Sequence, residues 1–273
     1  MTKILITGGA GQLGQAFEAV AATITAQLII CGRQTLDISS QTSIRVALAQ
    51  YQPDIVINAA AYTAVDQAEL EADKAFAINT EAAAVLAAEC ALAGVKLIHI
   101  STDYVFDGEK GVAYEVSDQA KPINVYGQSK LAGEEAVLSN HPKAVIVRTA
   151  WLYSEFGDNF QTRIIQVAKT CLAENQPLYV VDDQWGSPSY APHLVQFLLQ
   201  LITILESYHG QILHFSDDRV MSRFEQAQEI LIKALERGEI KKLPQIEATC
   251  TKDYPALAKR PINSALKASK LAS

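Results

Sequence analysis

The stretch that most narrows what this chain can fold into is the N-terminal one. Lys3 to Thr7 is a short apolar run of β type, Thr7-Gly8-Gly9-Ala10-Gly11-Gln12-Leu13-Gly14 follows, and a helical pattern continues through Ala22. Glycines 8, 11 and 14 stand at G-x-x-G-x-x-G spacing between strand and helix. The spacing serves a tight turn, close approach of backbone to a pyrophosphate, and close packing of helix on strand. Phosphate then sits on the free N–H groups of the helix N-terminus, with the helix dipole behind it. An ordinary glycine turn could carry the same letters; their place between a strand and a helix favours the phosphate cradle.

Strands and helices alternate beyond it, as in a parallel sheet with helical crossovers. Strands are predicted at 27–32, 54–58, 96–100 and 143–149, and helices at 39–51, 65–73, 74–93 and 124–138. Past the second strand stands Gly32-Arg33-Gln34, with no acid until Asp37. An acid there would bond a ribose 2′-hydroxyl, whereas an arginine suits a 2′-phosphate, so Arg33 either points to NADP(H) or is a solvated loop arginine. Asp37 and Ile38 either line the adenine or, for Asp37, cap the next helix. The small residues of Ala59-Ala60-Ala61-Tyr62-Thr63 either admit a flat ligand or pack tightly. Asn79, an amide on an apolar face, either pins backbone near the cofactor or is satisfied structurally. After Trp151 the alternation turns irregular: helix 159–173, strand 178–182, loop 183–188, helix 190–205, short strand 212–215 and helix 224–236.

Ligands of open α/β sheets sit beyond the carboxyl ends of the strands. The 96–100 strand runs into Ser101-Thr102-Asp103-Tyr104, which puts a hydroxyl and a carboxylate there. Tyr126 and Lys130 follow on one face of the 124–138 helix, four residues apart. A nearby cation favours phenolate, so the pair is expected to act as an acid/base with a lowered tyrosine pKa.

Net charge is −7, which argues against nucleic acid and anionic membrane as partners. Cys31, Cys90, Cys171 and Cys250 are scattered without metal spacing, so reduced thiols, no metal and a cytoplasmic location are expected. The apolar start Ile4-Leu5-Ile6 is too short for a signal-peptide core, and the apolar 195–205 run too short to span a bilayer.

The glycine turn, Ser101-Thr102-Asp103 and Tyr-x-x-x-Lys, in that order, resemble the extended short-chain dehydrogenase/reductase superfamily. Narrower blocks resemble the dTDP-4-dehydrorhamnose reductase family: Asn58-Ala-Ala-Ala-Tyr62-Thr63-Ala-Val-Asp66, Ser101 to Asp107, Asn124 to Glu134, Arg148-Thr-Ala-Trp151, Val181 to Pro188 and Arg260-Pro-Ile-Asn-Ser264. The resemblance implies an α/β fold: a Rossmann-type doubly wound parallel sheet over 1–150, and a smaller C-terminal α/β substrate region over 151–273. The 190–205 helix is expected to pack back on the first domain. It implies reduction of the C4 ketone of dTDP-4-dehydro-L-rhamnose with NADP(H), NAD(H) being the second candidate. Tyr126, Lys130 and Thr102 would be catalytic. Gly8, Gly11, Gln12, Leu13, Gly14, Arg33, Asp37, Ile38, Ala60, Ala61, Tyr62, Thr63, Asn79 and Ile100 would line the cofactor groove, with Tyr126 and Lys130. Thr102, Asp103, Trp151 and Arg260 would meet the nucleotide sugar; a homodimer is left open. Two departures stand out: Arg223 replaces an aromatic of the family, and family chains usually run on past Ser269-Lys270-Leu271, so a terminal helix is expected to be missing. Two alternatives remain: a regulatory subunit resembling that of methionine adenosyltransferase, and a reductase or epimerase of another nucleotide sugar.

Overall fold

The computed structural model describes residues 1–254 and 256–272. Its first half runs β1 (Lys3–Thr7), α1 (Gln12–Val20), β2 (Gln27–Ile30), α2 (Gln41–Tyr51), β3 (Ile55–Asn58) and α3 (Val65–Ala68). Next come α4 (Ala72–Phe76), a π-helical turn (Ala77–Ala82), α5 (Ala83–Leu92), β4 (Lys96–Thr102), α6 (Val125–Asn140) and β5 (Val145–Thr149). The second half holds β6 (Leu152–Tyr153), α7 (Phe160–Glu174), β7 (Leu178–Val181), β8 (Trp185–Gly186), β9 (Ser189–Tyr190) and α8 (Ala191–Thr203). It ends with β10 (Ile212–Phe215), β11 (Met221–Ser222), α9 (Arg223–Glu236) and β12 (Ile246–Thr249).

Six parallel strands form the main sheet in the order β10-β5-β4-β3-β1-β2. Successive strand residues face opposite sides, so β1 feeds two cores. Ile4 and Ile6 join Phe17 of α1 and Leu194 and Leu198 of α8 on one face. Leu5 joins Ile44 of α2, Leu86 of α5 and Val137 of α6 on the other. Fully burying side chains of this size is worth roughly 1.5–3 kcal/mol each. The chain order reverses between β1 and β3, so the loops that follow them open a crevice at the carboxyl edge.

Two segments from beyond residue 150 belong to this layer: β10 pairs with β5, and α8 covers the α1 face. The rest of the second half builds a smaller body, in which Ile164 and Ile165 of α7, Val180 of β7 and Leu231 of α9 share a core. β12 pairs with β7, β11 with β8, and the final segment returns to the first half through Tyr114 and Leu266. The expected 183–188 loop therefore contains a strand, because Trp185 and Gly186 find a partner in Met221 and Ser222. The helix expected over 65–73 stops at Ala68, and the next begins at Ala72. The helical run from Ala72 to Leu92 is long and apolar enough to cross a bilayer, yet Ala82, Leu86 and Cys90 lie in the sheet core, which accounts for its composition.

Candidate active site

The glycine turn and the loop after β3 face each other across the crevice. Gly8 has φ +69°, and a Cβ there would lie 2.9 Å from the backbone of Ala59 and Ala60. Gly14 sits on Gly9, where a Cβ would come within 2.5 Å of its Cα. Gly11 caps α1 with no side chain, so the amides of the first turn stay open to an anion. A diphosphate fits this cradle. Gln12 turns away from it: Nε2 donates to Leu152 O at 3.5 Å, and Oε1 accepts from Ser154 Oγ at 3.1 Å. Leu13 and Ile38 are buried in the two sheet cores.

Arg33 projects into solvent just past β2 and meets Asp37 at 3.5 Å. Asp37 is not the cap of α2; it accepts from the amide and hydroxyl of Ser39, while Ser40 caps the helix through the Ser43 amide. Those bonds, with Arg33 helping, hold the Asp37 carboxyl below its ordinary range. Asn79 is buried and its amide is fully engaged. Its Oδ1 accepts from Tyr62 N at 2.8 Å, and its Nδ2 donates to Tyr62 O at 3.0 Å and to Ser129 Oγ at 2.9 Å. The amide thereby ties the loop after β3 to α6. In that loop Ala60, Ala61 and Tyr62 are half-buried and Thr63 is exposed.

α6 starts at Asn124, whose side chain accepts from Gly127 N and donates to Lys259 O. Two residues on, the Tyr126 ring meets Tyr104 edge-on at 5.8 Å, and the neighbouring Thr102 hydroxyl favours the phenolate without outweighing burial. Lys130 is 2% exposed and donates to Ile100 O at 2.8 Å. The expected lowering of the tyrosine pKa is absent. Burial, with Asp103 and Tyr104 adding to it, pushes Tyr126 up, and Lys130 does not counter this, since its Nζ turns to the backbone of β4. Burial also pushes Lys130 down, to about 8.

Thr102 Oγ1 donates to Asp103 Oδ1 at 3.0 Å, and Asp103 Oδ2 has no partner among the described residues. Burial raises Asp103 to about 6 against the opposing hydroxyls of Ser264 and Thr102. Across the cleft Trp151 adopts φ +47°, an uncommon conformation for a bulky residue, and donates from Nε1 to Ser264 Oγ at 3.2 Å. The Arg223 guanidinium stacks 3.4 Å over the Trp151 ring and donates to Gln226 Oε1 at 2.9 Å. Arg223 thus covers the indole face, with the Phe160 ring 4.8 Å away. Arg260 does not reach this group with a free fork: Nη1 and Nη2 hold Asp66 at 3.1 and 2.6 Å.

Sequence reasoning left out Tyr104, Ser264 and His99. Tyr104 and Ser264 lay inside quoted motifs, and the alternation of β4 could have flagged His99 as a polar residue on a buried position. A phenol, a hydroxyl and a buried acid with one unpaired oxygen lie at the carboxyl end of β4, an arrangement suited to proton delivery onto a carbonyl.

The family model described as the RmlD substrate binding domain matches residues 1–273. A dTDP-4-dehydrorhamnose reductase of Aggregatibacter actinomycetemcomitans is 36% identical, over 99% of this chain and 92% of that protein. A dTDP-4-keto-6-deoxy-D-glucose reductase of Streptomyces niveus is 38% identical, over 72% of this chain and 68% of that protein. The crystal structure of dTDP-4-dehydrorhamnose reductase from Bacillus anthracis in complex with NADP superposes with a TM-score of 0.88 at 35% identity, covering 98% of this chain and 92% of that one.

Proposed function

The chain belongs to the dTDP-4-dehydrorhamnose reductase family, and from that membership we propose that it reduces the C4 ketone of dTDP-4-dehydro-L-rhamnose to dTDP-L-rhamnose with NADP(H). The observation that carries the reading is Thr102 at the carboxyl end of β4 with Tyr126 and Lys130 four residues apart on α6, Lys130 being buried and donating to Ile100 O of that strand. The cofactor supplies the hydride. The amides at the start of α1 hold its diphosphate, Arg33 its 2′-phosphate and Lys130 its nicotinamide ribose. Thr102 polarises the ketone oxygen, and Tyr126 gives its phenolic proton to that oxygen as it becomes an alkoxide. Asp103 Oδ2 accepts from a sugar hydroxyl, and Trp151 bounds the sugar. Burial keeps Tyr126 protonated until negative charge forms next to it.

In this reading residues 1–150 hold the cofactor, and the body after Trp151, apart from α8 and β10, holds the nucleotide sugar. The protein works in the cytoplasm, where thiols stay reduced, with the nucleotide sugar as its partner and no nucleic acid or membrane. The stacked Arg223 favours a second reading, a related dTDP-4-keto-6-deoxysugar as the preferred substrate.

The test mixes the protein with NADPH and dTDP-4-dehydro-L-rhamnose and follows the absorbance of the reduced nicotinamide. Consumption should require the sugar, and Tyr126→Phe should cut turnover by about 10²–10⁴-fold while NADPH still binds. Full turnover in that variant would remove Tyr126 from the acid role. Faster turnover of another keto-deoxysugar would decide for the second reading.

A further inference from the structure

A chain of buried polar groups runs beneath the crevice, from the loop after β3 to the catalytic helix. Ala60 N–H donates to Thr7 Oγ1 at 3.1 Å. The Thr7 hydroxyl then donates to Asn58 Oδ1 at 2.7 Å. With Oδ1 accepting, Asn58 presents its amide hydrogens to His99 Nδ1 at 3.0 Å. Thr7, Asn58 and His99 are each at most 1% exposed, so water does not interrupt the sequence of donors. Burial and the Lys130 charge keep His99 well below the usual imidazole range, and the ring is neutral. A neutral ring that accepts at Nδ1 carries its hydrogen on Nε2. That nitrogen faces Lys130 Nζ at 3.4 Å. An N–H can donate to the lone pair of an amine, but it opposes the hydrogens of an ammonium.

We propose that His99 is a positioning residue that tunes the catalytic lysine: the tautomer imposed by Thr7 and Asn58 aims an N–H at Lys130 and favours its uncharged form. The proposal rests on the reading that Lys130 serves Tyr126 and the cofactor. Among the described residues Glu134, one turn along α6, is the ionised group that pulls Lys130 the other way. Its carboxylate is already committed to Arg148 of β5, at 2.8 and 2.7 Å, and to Ser101 of β4, at 2.5 Å. Ile100 O accepts from Nζ in either state, and Tyr126 lies one turn back on the same helix. Burial lowers the lysine in the same direction as His99 does. Reduction uses the ammonium, which supports the phenolate left behind, so His99 sets the pH at which activity falls on the alkaline side.

The test is a titration of the full chain labelled with ε-¹³C lysine, without cofactor or sugar. The Lys130 resonance is identified by its loss in Lys130→Met. His99→Leu keeps the burial and removes the N–H, and it should raise the Lys130 midpoint by about one pH unit, a roughly tenfold change in proton affinity. His99→Gln can accept from Asn58 and still donate toward Lys130, and should titrate near the parent. Thr7→Val frees Asn58 to turn over, and should raise the midpoint without touching the imidazole. The alkaline limb of turnover should move with each midpoint. A His99→Leu midpoint equal to the parent's, or a His99→Gln midpoint shifted as far as that of His99→Leu, overturns the proposal. Should His99→Leu fail to fold, a Thr7→Val midpoint equal to the parent's does so instead. Because no sugar is present, a failure of the assigned substrate leaves this result intact.

Discussion

Arg33 stands just past β2 with 75% of its side chain in solvent and only a loose contact to Asp37. Such a contact contributes little at the surface, so the guanidinium is free to turn to a phosphate. Arg33→Ala should weaken NADPH binding by roughly tenfold and NADH binding hardly at all, as measured by titrating nucleotide fluorescence. Equal losses for both would take the 2′-phosphate away from Arg33. Asp103 makes a second prediction at this scale. Its carboxyl is raised to about 6, so the folded chain holds the proton more tightly than the unfolded one. Stability is therefore lost as pH rises from about 4 to about 6, and the loss is complete above that window. At about 1.4 kcal/mol per pKa unit it amounts to roughly 3 kcal/mol. Asp103→Asn should melt above the parent at pH 8, with the gap closing toward pH 4, while losing turnover. Matching melting curves at pH 8 would show that burial of Asp103 carries no such penalty.

α6 shows why a helix can be found from its pattern and still be misjudged. Its buried positions include Gly127, Ser129, Lys130, Gly133 and Glu134, so the face it turns inward is polar and small rather than an apolar stripe. The 124–138 reading placed Tyr126 and Lys130 on one face, and the structure extends the helix to Asn140. What fastens the helix is the buried fork between Glu134 and Arg148, 14 positions apart and contributed by β5. Removing one member of such a pair strands the other charge in the interior. Glu134→Ala should lower the unfolding free energy by about 3–5 kcal/mol in urea titrations. Adding Arg148→Met should recover part of it. A double variant weaker than the single one would show that Arg148 has stabilising contacts beyond Glu134, the Phe106 ring at 5.2 Å being the first to test.

At the scale of the whole molecule, the sheet is finished by chain from its second half. β10 closes the β5 edge, and Leu194 and Leu198 of α8 cover Ile6 and Phe17. A fragment ending at residue 150 would leave that edge open and that face wet. It should lack the dispersed amide spectrum of a folded domain, whereas the full chain should show it. A well-dispersed fragment would mean that the first five strands suffice. The segment before Ser264 is held on the first half by Arg260 and Ala258, both bonded to Asp66. It carries Ser264 to Trp151, whose indole N–H donates to the Ser264 hydroxyl.

The sequence alone determined the glycine cradle, the alternation that makes a parallel sheet, and the placement of Thr102, Asp103, Tyr126 and Lys130 at its carboxyl edge. Each of these is local: a turn that needs glycine, a strand period of two, a helical spacing of four. Only the tertiary structure decided the rest. It sent Lys130 to Ile100 and His99, paired Arg260 with Asp66, laid Arg223 on Trp151 and drove the Tyr126 pKa up instead of down. The reason is that charge and hydrogen-bond energies in a buried site depend on which groups the fold brings within a few ångströms and on how much water it removes. Neither quantity is a function of spacing along the chain.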